Sequence, residues 1–263
     1  MDSDSDDDNL NATGLFQEPE GYFPPPPEPT TQTYVLQTGE SLTLHLIGHH
    51  NLWGHLLWNG GRYVARWFED HPEEVKGKTV LELGAGAGLP SLVAAVLGAR
   101  KVVMSDYSSR NLVENMQMNI AEARPLVEEG RVVAEGFTWG KDAGSLLASS
   151  KSPKRHAKFD VLIQADLVFN HHQHHNLIKT TRETLSRKRE SRAYVFFSSY
   201  RPWLQHEDLK YFDRAREAGF VVEKVLEEKM ETPMFENDPG DVEVQKTVLG
   251  FVMRWPEGEW DEE

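Results

Sequence analysis

Residues 80–88 read VLELGAGAG, and this stretch restricts the fold more than any other part of the chain. Its leucines and β-branched valine predict a buried strand, and the three glycines that follow predict a tight loop opening onto a ligand. A strand, a glycine loop and a helix in this order are typical of α/β proteins with a parallel sheet. The loop alone does not identify the ligand, because dinucleotides, nucleoside triphosphates and S-adenosylmethionine are all bound by such loops.

Strand-like and helix-like segments alternate from this loop onward. The predicted strands are TVLELG, KVVMSD, RVVAEGF, FDVLIQAD and AYVFFSSY, and helical segments such as LPSLVAAVLG, SRNLVENMQMNIAEA and HHNLIKTTRETLSRK separate several of them. Residues 140–157 predict a loop or a frayed helix. Two late strands, FVVEKVLE and VQKTVLGFVMRW, follow the helix HEDLKYFDRAREAG with no helix between them, which predicts one antiparallel strand near the sheet edge.

An N-terminal extension precedes this core. The segments TYVLQ and LTLHLIG flank TGES, which predicts a β-hairpin, and a helix then ends at His71 and Pro72. The expected fold is therefore α/β, a Rossmann-like seven-stranded sandwich with an N-terminal β-hairpin and helix. We expect one domain over residues 31–256, an acidic tail at 257–263, and disorder in the acidic, proline-rich residues 1–30.

The composition of the chain restricts the classes of partner that it can bind. The net charge of −14 disfavours a nucleic-acid backbone and fits a basic protein segment or a small molecule. No apolar run reaches the roughly 18 residues of a membrane span, and no cysteine is present for a disulfide framework or a Cys-based metal site. We expect a cytoplasmic monomer.

The residues around the glycine loop exclude two of its usual ligands. A P-loop needs Gly-Lys-Ser or Gly-Lys-Thr at its end, whereas this loop continues Gly88-Leu89-Pro90. Leu89 also occupies the place of the third glycine in the dinucleotide fingerprint. Glu82, two residues before the loop, would repel a pyrophosphate but suits an ammonium and a sulfonium, both of which S-adenosylmethionine carries.

Three further positions support an adenosine ligand. Asp106 ends the second core strand, where a carboxylate can accept hydrogen bonds from ribose hydroxyls, although NAD sites use the same acid and a helix-capping role is the alternative. Trp139 follows the third strand, where it can pack on an adenine or serve as a core or lid residue. Ala165 and Asp166 end the fourth strand, at the sheet edge where open α/β folds bind ligands.

The motifs LWGHLLWNGG, VLELGAGAGLPSL, SDYS, FTWG and DLVFNH, in this order, resemble the family-16 seven-β-strand, lysine-methyltransferase-like group of class I methyltransferases. The likeness runs from about Leu15 to Trp255 and is greatest to a fungal branch that methylates the N-terminal glycine and adjacent lysine of translation elongation factor 1-alpha. It implies S-adenosylmethionine as cofactor, S-adenosylhomocysteine as product, and a protein substrate with a basic N-terminal segment. The cofactor residues that it implies are Trp58 or its competitor Trp53, Glu82, Gly84, Ala85, Gly86, Asp106, Tyr107, Trp139 and Ala165.

Further residues at the carboxyl edge of the sheet are needed to orient the amine that accepts the methyl group. Asp166 is the first candidate for orienting the amine, and Asn170 and Tyr200 are the next. The aromatic face of Tyr200 could attract a partly methylated ammonium. Phe169 stands where many relatives have a hydroxyl-bearing aromatic residue. We expect no metal, because the run NHHQHH lacks the His-Glu-x-x-His pattern. A small-molecule, nicotinamide-type N-methyltransferase and a non-catalytic binding module remain the alternatives.

Overall fold

The computed structural model describes residues 28–48, 54–150 and 158–261. Nine strands lie in this part of the chain: β1 (Thr30–Val35), β2 (Ser41–Leu46), β3 (Thr79–Leu83), β4 (Lys101–Asp106), β5 (Val132–Gly136), β6 (Val161–Ala165), β7 (Arg192–Ser198), β8 (Val221–Lys229) and β9 (Thr247–Arg254). The α-helices among the described residues are α1 (Asn59–Asp70), α2 (Leu89–Val96), α3 (Arg110–Glu122), α4 (Gly144–Ser149), α5 (His174–Thr184), α6 (Gln205–Glu217) and α7 (Val242–Gln245). Trp53 and most of the segment predicted to be disordered lie outside the described residues.

The central sheet has seven strands in the order β5-β4-β3-β6-β7-β9-β8. Strands β3 to β7 are mutually parallel, while β9 runs antiparallel to both of its neighbours, β7 and β8. The predicted antiparallel strand is thus confirmed. The expectation that no helix separates the last two strands is wrong, because the short helix α7 lies in their connection and contains the first residues of the predicted strand VQKTVLGFVMRW. The seven-stranded Rossmann-like sandwich expected from the sequence is also confirmed.

Helices cover both faces of the sheet because successive side chains of each strand point to opposite sides. On β3, Val80 belongs to the hydrophobic core shared with α1, α2 and α3, whereas Leu81 belongs to the core shared with α4, α5 and α6. All five residues of β3 are buried, as expected for the central strand of a doubly covered sheet.

The N-terminal hairpin and α1 pack on the first of these faces. Strands β1 and β2 pair antiparallel, and the even-numbered residues of β2, Leu42, Leu44 and Leu46, are buried. Helix α1 buries Val64, Ala65 and Phe68 and ends before Pro72, as predicted. This packing brings the N-terminus of α1 beside the carboxyl ends of β6 and β7, where the candidate site lies.

Candidate active site

A cleft of about 810 Å³ opens at the carboxyl ends of strands β3 to β6. Strand β3 has β4 on one side and β6 on the other, so the chain reverses its direction of winding here, and ligands of open α/β sheets bind at such a point. The predicted residues that line the cleft are Trp58, Glu82, Gly84, Ala85, Gly86, Asp106, Tyr107, Trp139, Ala165, Asp166 and Asn170. The geometry therefore brings together almost all of the residues that the sequence singled out.

The glycine loop between β3 and α2 presents bare backbone to the cleft. Gly86 has a φ of 54°, and a Cβ built on it would meet no atom within 4 Å, so the space beside it belongs to the cleft. Gly84 differs, because a Cβ there would lie 2.5 Å from the Leu167 side chain. The loop thus allows a ligand to approach the backbone at Gly86 and packs tightly against the protein at Gly84.

Glu82 is a buried carboxylate at the base of this loop. It is 1% exposed, and its Oε2 accepts a hydrogen bond from the backbone N–H of Ser91 in the first turn of α2, at 3.1 Å. Burial raises the pKa of Glu82 to about 8, and the negative charge of Asp106 adds to the rise. A ligand ammonium placed beside Glu82 would stabilise its ionised form.

Asp106 is held at the end of β4 by two backbone hydrogen bonds. Its Oδ2 accepts from the N–H of Gly86 at 2.7 Å, and its Oδ1 accepts from the N–H of Tyr107 at 2.6 Å. The N-cap position of α3 is occupied by Ser109, so Asp106 does not cap that helix. The carboxylate instead ties the glycine loop to the neighbouring strand and faces the cleft.

Asp166 connects three elements at the end of β6. Its Oδ2 accepts a hydrogen bond from the N–H of Gly60 in α1 at 2.5 Å, and its Oδ1 accepts from the N–H of Ser198 in β7 at 2.9 Å. Among the described non-glycine residues it is the one with a positive φ, 51°, a strained conformation that recurs at functional sites. Burial raises the pKa of Asp166 to about 7, against the lowering effect of these two hydrogen bonds.

Tyr200 lies behind the cleft rather than on its lining. Its ring packs on Trp58 with centroids 5.0 Å apart, and Phe235 contacts both rings at 5.9 and 5.8 Å. Burial raises the pKa of the Tyr200 hydroxyl well above its usual value, and the charge of Asp166 contributes to the shift. Tyr200 therefore supports Trp58 as part of an aromatic cluster, defined here as Trp58, Tyr200 and Phe235.

Sequence reasoning missed several residues of this region. Phe235 belongs to the connection between β8 and β9, which shows no periodic pattern. Arg201 lines the cleft and donates from Nη2 to the backbone oxygen of Phe169 at 2.7 Å. Its position directly after a parallel strand was a usable signal. His171 and His172 also line the cleft, and no group of three potential metal ligands occurs in the described ranges.

The chain is similar in sequence to a family of methyltransferases. Residues 39–218 match the model of a family described as lysine methyltransferase. The chain is 52% identical over 253 residues to the protein N-terminal and lysine N-methyltransferase efm7 of Neurospora crassa, covering 94% of this chain and 90% of that protein. The efm7 protein of Schizosaccharomyces pombe is 41% identical, with 95% of this chain and 98% of that protein covered.

Solved structures agree in fold. The 16S rRNA N2 G1207 methyltransferase RsmC of T. thermophilus, in complex with AdoMet and guanosine, superposes with a TM-score of 0.54 at 17% identity, covering 89% of this chain and 52% of that one. TYW2 of P. horikoshii, in complex with MeSAdo, superposes with a TM-score of 0.51 at 18% identity, covering 86% of this chain and 72% of that one.

Among the described residues, no helix combines the length and the apolar composition that a membrane span requires.

Proposed function

Because the chain belongs to the lysine methyltransferase family, we propose that it methylates the N-terminal glycine α-amine and the adjacent lysine of translation elongation factor 1-alpha, with S-adenosylmethionine as methyl donor. The family resemblance drawn from five sequence motifs and the prediction of a methyltransferase are confirmed by the family match. The relatives named as protein N-terminal and lysine N-methyltransferases support a protein substrate. Elongation factor 1-alpha, a cytoplasmic location and a monomeric enzyme belong to the proposal.

The shape and charge of the cleft fit S-adenosylmethionine. The open backbone at Gly86 gives room for close approach, and Glu82 offers a buried carboxylate to an ammonium group. Asp106 offers a fixed carboxylate for the ribose hydroxyls, and Trp139 an aromatic face for the adenine. When bound, S-adenosylmethionine would supply a sulfonium methyl group, whose carbon an uncharged amine nitrogen can attack with the thioether sulfur as leaving group. Ala165, a small residue at the end of β6, leaves space beside that methyl group.

One observation carries the assignment to amine methylation: the same cleft contains two buried carboxylates, Glu82 and Asp166. Among the described residues, no cationic side chain forms an ion pair with either one. Two amines enter an N-methylation site, the α-ammonium of the cofactor and the acceptor. We assign Glu82 to the first amine and Asp166 to the second, with Asn170 and the aromatic cluster beside it.

The acceptor chemistry suits a site that mainly orients its substrate. An N-terminal α-amine has a pKa of about 7.7 to 8.0 and is partly uncharged near pH 7, whereas a lysine side chain, at about 10.4, is almost fully protonated. Positioning can therefore supply much of the rate enhancement for the α-amine. Lysine requires proton removal as well.

The test uses isotopically labelled cofactor with three acceptors: a peptide carrying the elongation factor 1-alpha N-terminus, the same peptide with an acetylated N-terminus, and nicotinamide. We expect mass spectrometry to locate methyl groups on the α-amine and the next lysine of the free peptide, and on lysine alone in the acetylated one. Glu82→Gln serves as a cofactor-site control with strongly reduced transfer. Labelling of nicotinamide without labelling of either peptide would contradict the proposal.

A further inference from the structure

His171 stands out among the cleft residues because one of its ring nitrogens is fixed by a buried acid. Its Nε2 lies 2.7 Å from Oδ1 of Asp208 on α6, and Asp208 is 3% exposed. The His171 side chain keeps 20% of its surface exposed and lines the cleft. A histidine oriented by a carboxylate and open to a cleft is the usual arrangement of a general base.

The same acid connects His171 to the acceptor side of the cleft. Asp208 Oδ2 accepts a hydrogen bond from the hydroxyl of Ser199 at 2.7 Å, and the preceding residue, Ser198, donates its backbone N–H to Asp166. The negative charge of Asp208 also raises the pKa of Asp166. The two consecutive serines at the end of β7 thus hold the His171–Asp208 pair next to Asp166.

The hydrogen bond also determines which nitrogen of His171 can accept a proton. Since Asp208 is a carboxylate acceptor, Nε2 carries the hydrogen in the neutral ring, and Nδ1 has the free lone pair. His174 cannot substitute, because its Nδ1 accepts from Arg214 at 2.9 Å, its Nε2 donates to the backbone oxygen of Val168, and burial lowers its pKa to about 4.

The charges that face His171 come from every element packed around it. Helix α6 supplies the acids Asp208 and Glu207 and the cation of Arg214. Helix α5 supplies the uncharged His174, whose ring is 5.5 Å away, and Arg201 after β7 interacts with Asp208. The nearest and most buried of these charges is that of Asp208, whose Oδ1 lies 2.7 Å from Nε2 and would face an imidazolium formed on His171.

We propose that His171 is the proton acceptor for the substrate amine and that Asp208 is its positioning residue. This inference rests on the proposed function. In the first step, His171 Nδ1 takes a proton from the substrate ammonium, which leaves a neutral amine and an imidazolium. The nitrogen lone pair then forms the new N–C bond, and the electrons of the broken S–C bond remain on sulfur. The exposed edge of the ring releases the proton to water, so that each further methylation can repeat the cycle.

The proposal predicts that loss of His171 slows methylation of a lysine more than methylation of the α-amine on the same peptide. At pH 7 roughly a tenth of an α-amine is already neutral, but only about one in 2,500 lysine side chains is. His171→Asn should therefore reduce lysine methylation by about 100-fold or more and α-amine methylation by about 10-fold or less. Raising the pH toward 10 should restore much of the lost lysine methylation. Asp208→Asn should change both rates in the same direction but less strongly.

The control is His175→Asn, since His175 is exposed and does not line the cleft. Calorimetric titration with S-adenosylhomocysteine should give the wild-type affinity for His171→Asn, which shows a folded cofactor site. If that variant fails to fold, His171→Gln, which can still donate to Asp208, replaces it. An unchanged pH profile and an unchanged ratio of lysine to α-amine methylation in the folded variant would overturn the inference. Absence of transfer by the wild-type enzyme would instead overturn the proposed function.

Discussion

Replacing Glu82 with glutamine should separate the stability of the protein from its affinity for cofactor. The folded state holds Glu82 with a pKa of about 8, against 4.5 for an ordinary glutamate. A raised carboxyl pKa means that the folded protein binds more protons than the unfolded chain between these two values. The folded apo protein therefore loses stability as the pH rises from about 4.5 to 8, because Glu82 ionises in the unfolded chain and stays mainly protonated in the folded one.

The size of the effect follows from that shift. At pH 7 the wild-type protein loses on the order of 3 kcal/mol of stability through ionisation of Glu82 in the unfolded chain, and at pH 5 less than about 1 kcal/mol. Glutamine has the same shape and no charge, but its buried amide group adds a constant penalty of about 1–3 kcal/mol. Because that penalty does not vary with pH, it cancels when the two pH values are compared. The free energy of unfolding of Glu82→Gln, relative to that of the wild type, should rise by about 2–3 kcal/mol between pH 5 and 7.

Urea unfolding of both proteins at pH 5, 6 and 7, without cofactor, measures this change. Titration with S-adenosylhomocysteine at pH 7.5 supplies the second half of the test, where Glu82→Gln should bind at least 10-fold more weakly because the ligand ammonium loses its carboxylate. A stability difference that stays constant with pH would refute the buried-charge argument. Equal affinity of the two proteins for S-adenosylhomocysteine would refute the assignment of Glu82 to the ammonium.

Three further substitutions address other parts of the cleft. Gly86→Ala should weaken binding of S-adenosylhomocysteine 10-fold or more, by calorimetry, because its methyl group enters the cleft and its φ is positive, with about 1–2 kcal/mol lost in urea unfolding. Asp166→Asn should lower the free energy of unfolding by about 1–3 kcal/mol, since its amide group must face one of two backbone N–H donors. Phe235→Ala should raise the KM for the peptide several-fold, because its ring packs against Trp58 and Tyr200 without lining the cleft itself. Wild-type kinetics for Phe235→Ala would remove the aromatic cluster from the acceptor site.

The part of the cleft that we propose for the cofactor could be located from the sequence because its residues follow a local pattern. Glu82, Gly86 and Asp106 each lie at or next to the end of a parallel strand, and parallel strands bring such ends to one edge. The antiparallel β9 was predictable because the sequence between the last two strands shows no helical pattern long enough for the crossover that a parallel pair usually needs.

The acceptor half was less predictable because it depends on contacts between distant parts of the chain. The bond from Gly60 to Asp166 spans 106 positions, and the bond from His171 to Asp208 spans 37. Neither pair has a spacing that a helix or strand would impose, and the histidine run resembled an exposed helix start. Phe235 reaches Trp58 from an irregular connection, where no periodicity marks a buried side.

The double anchoring of Asp166 has a consequence for how the substrate range of such an enzyme can change. Its two oxygens accept hydrogen bonds from the start of α1 and the end of β7, so the residue that we propose to orient the acceptor also holds the N-terminal helix in place. Natural variation or directed evolution toward uncharged acceptors would damage the scaffold if it began at this aspartate. We expect new specificities to arise instead at Asn170, Arg201 and Phe235, whose replacement leaves that junction intact.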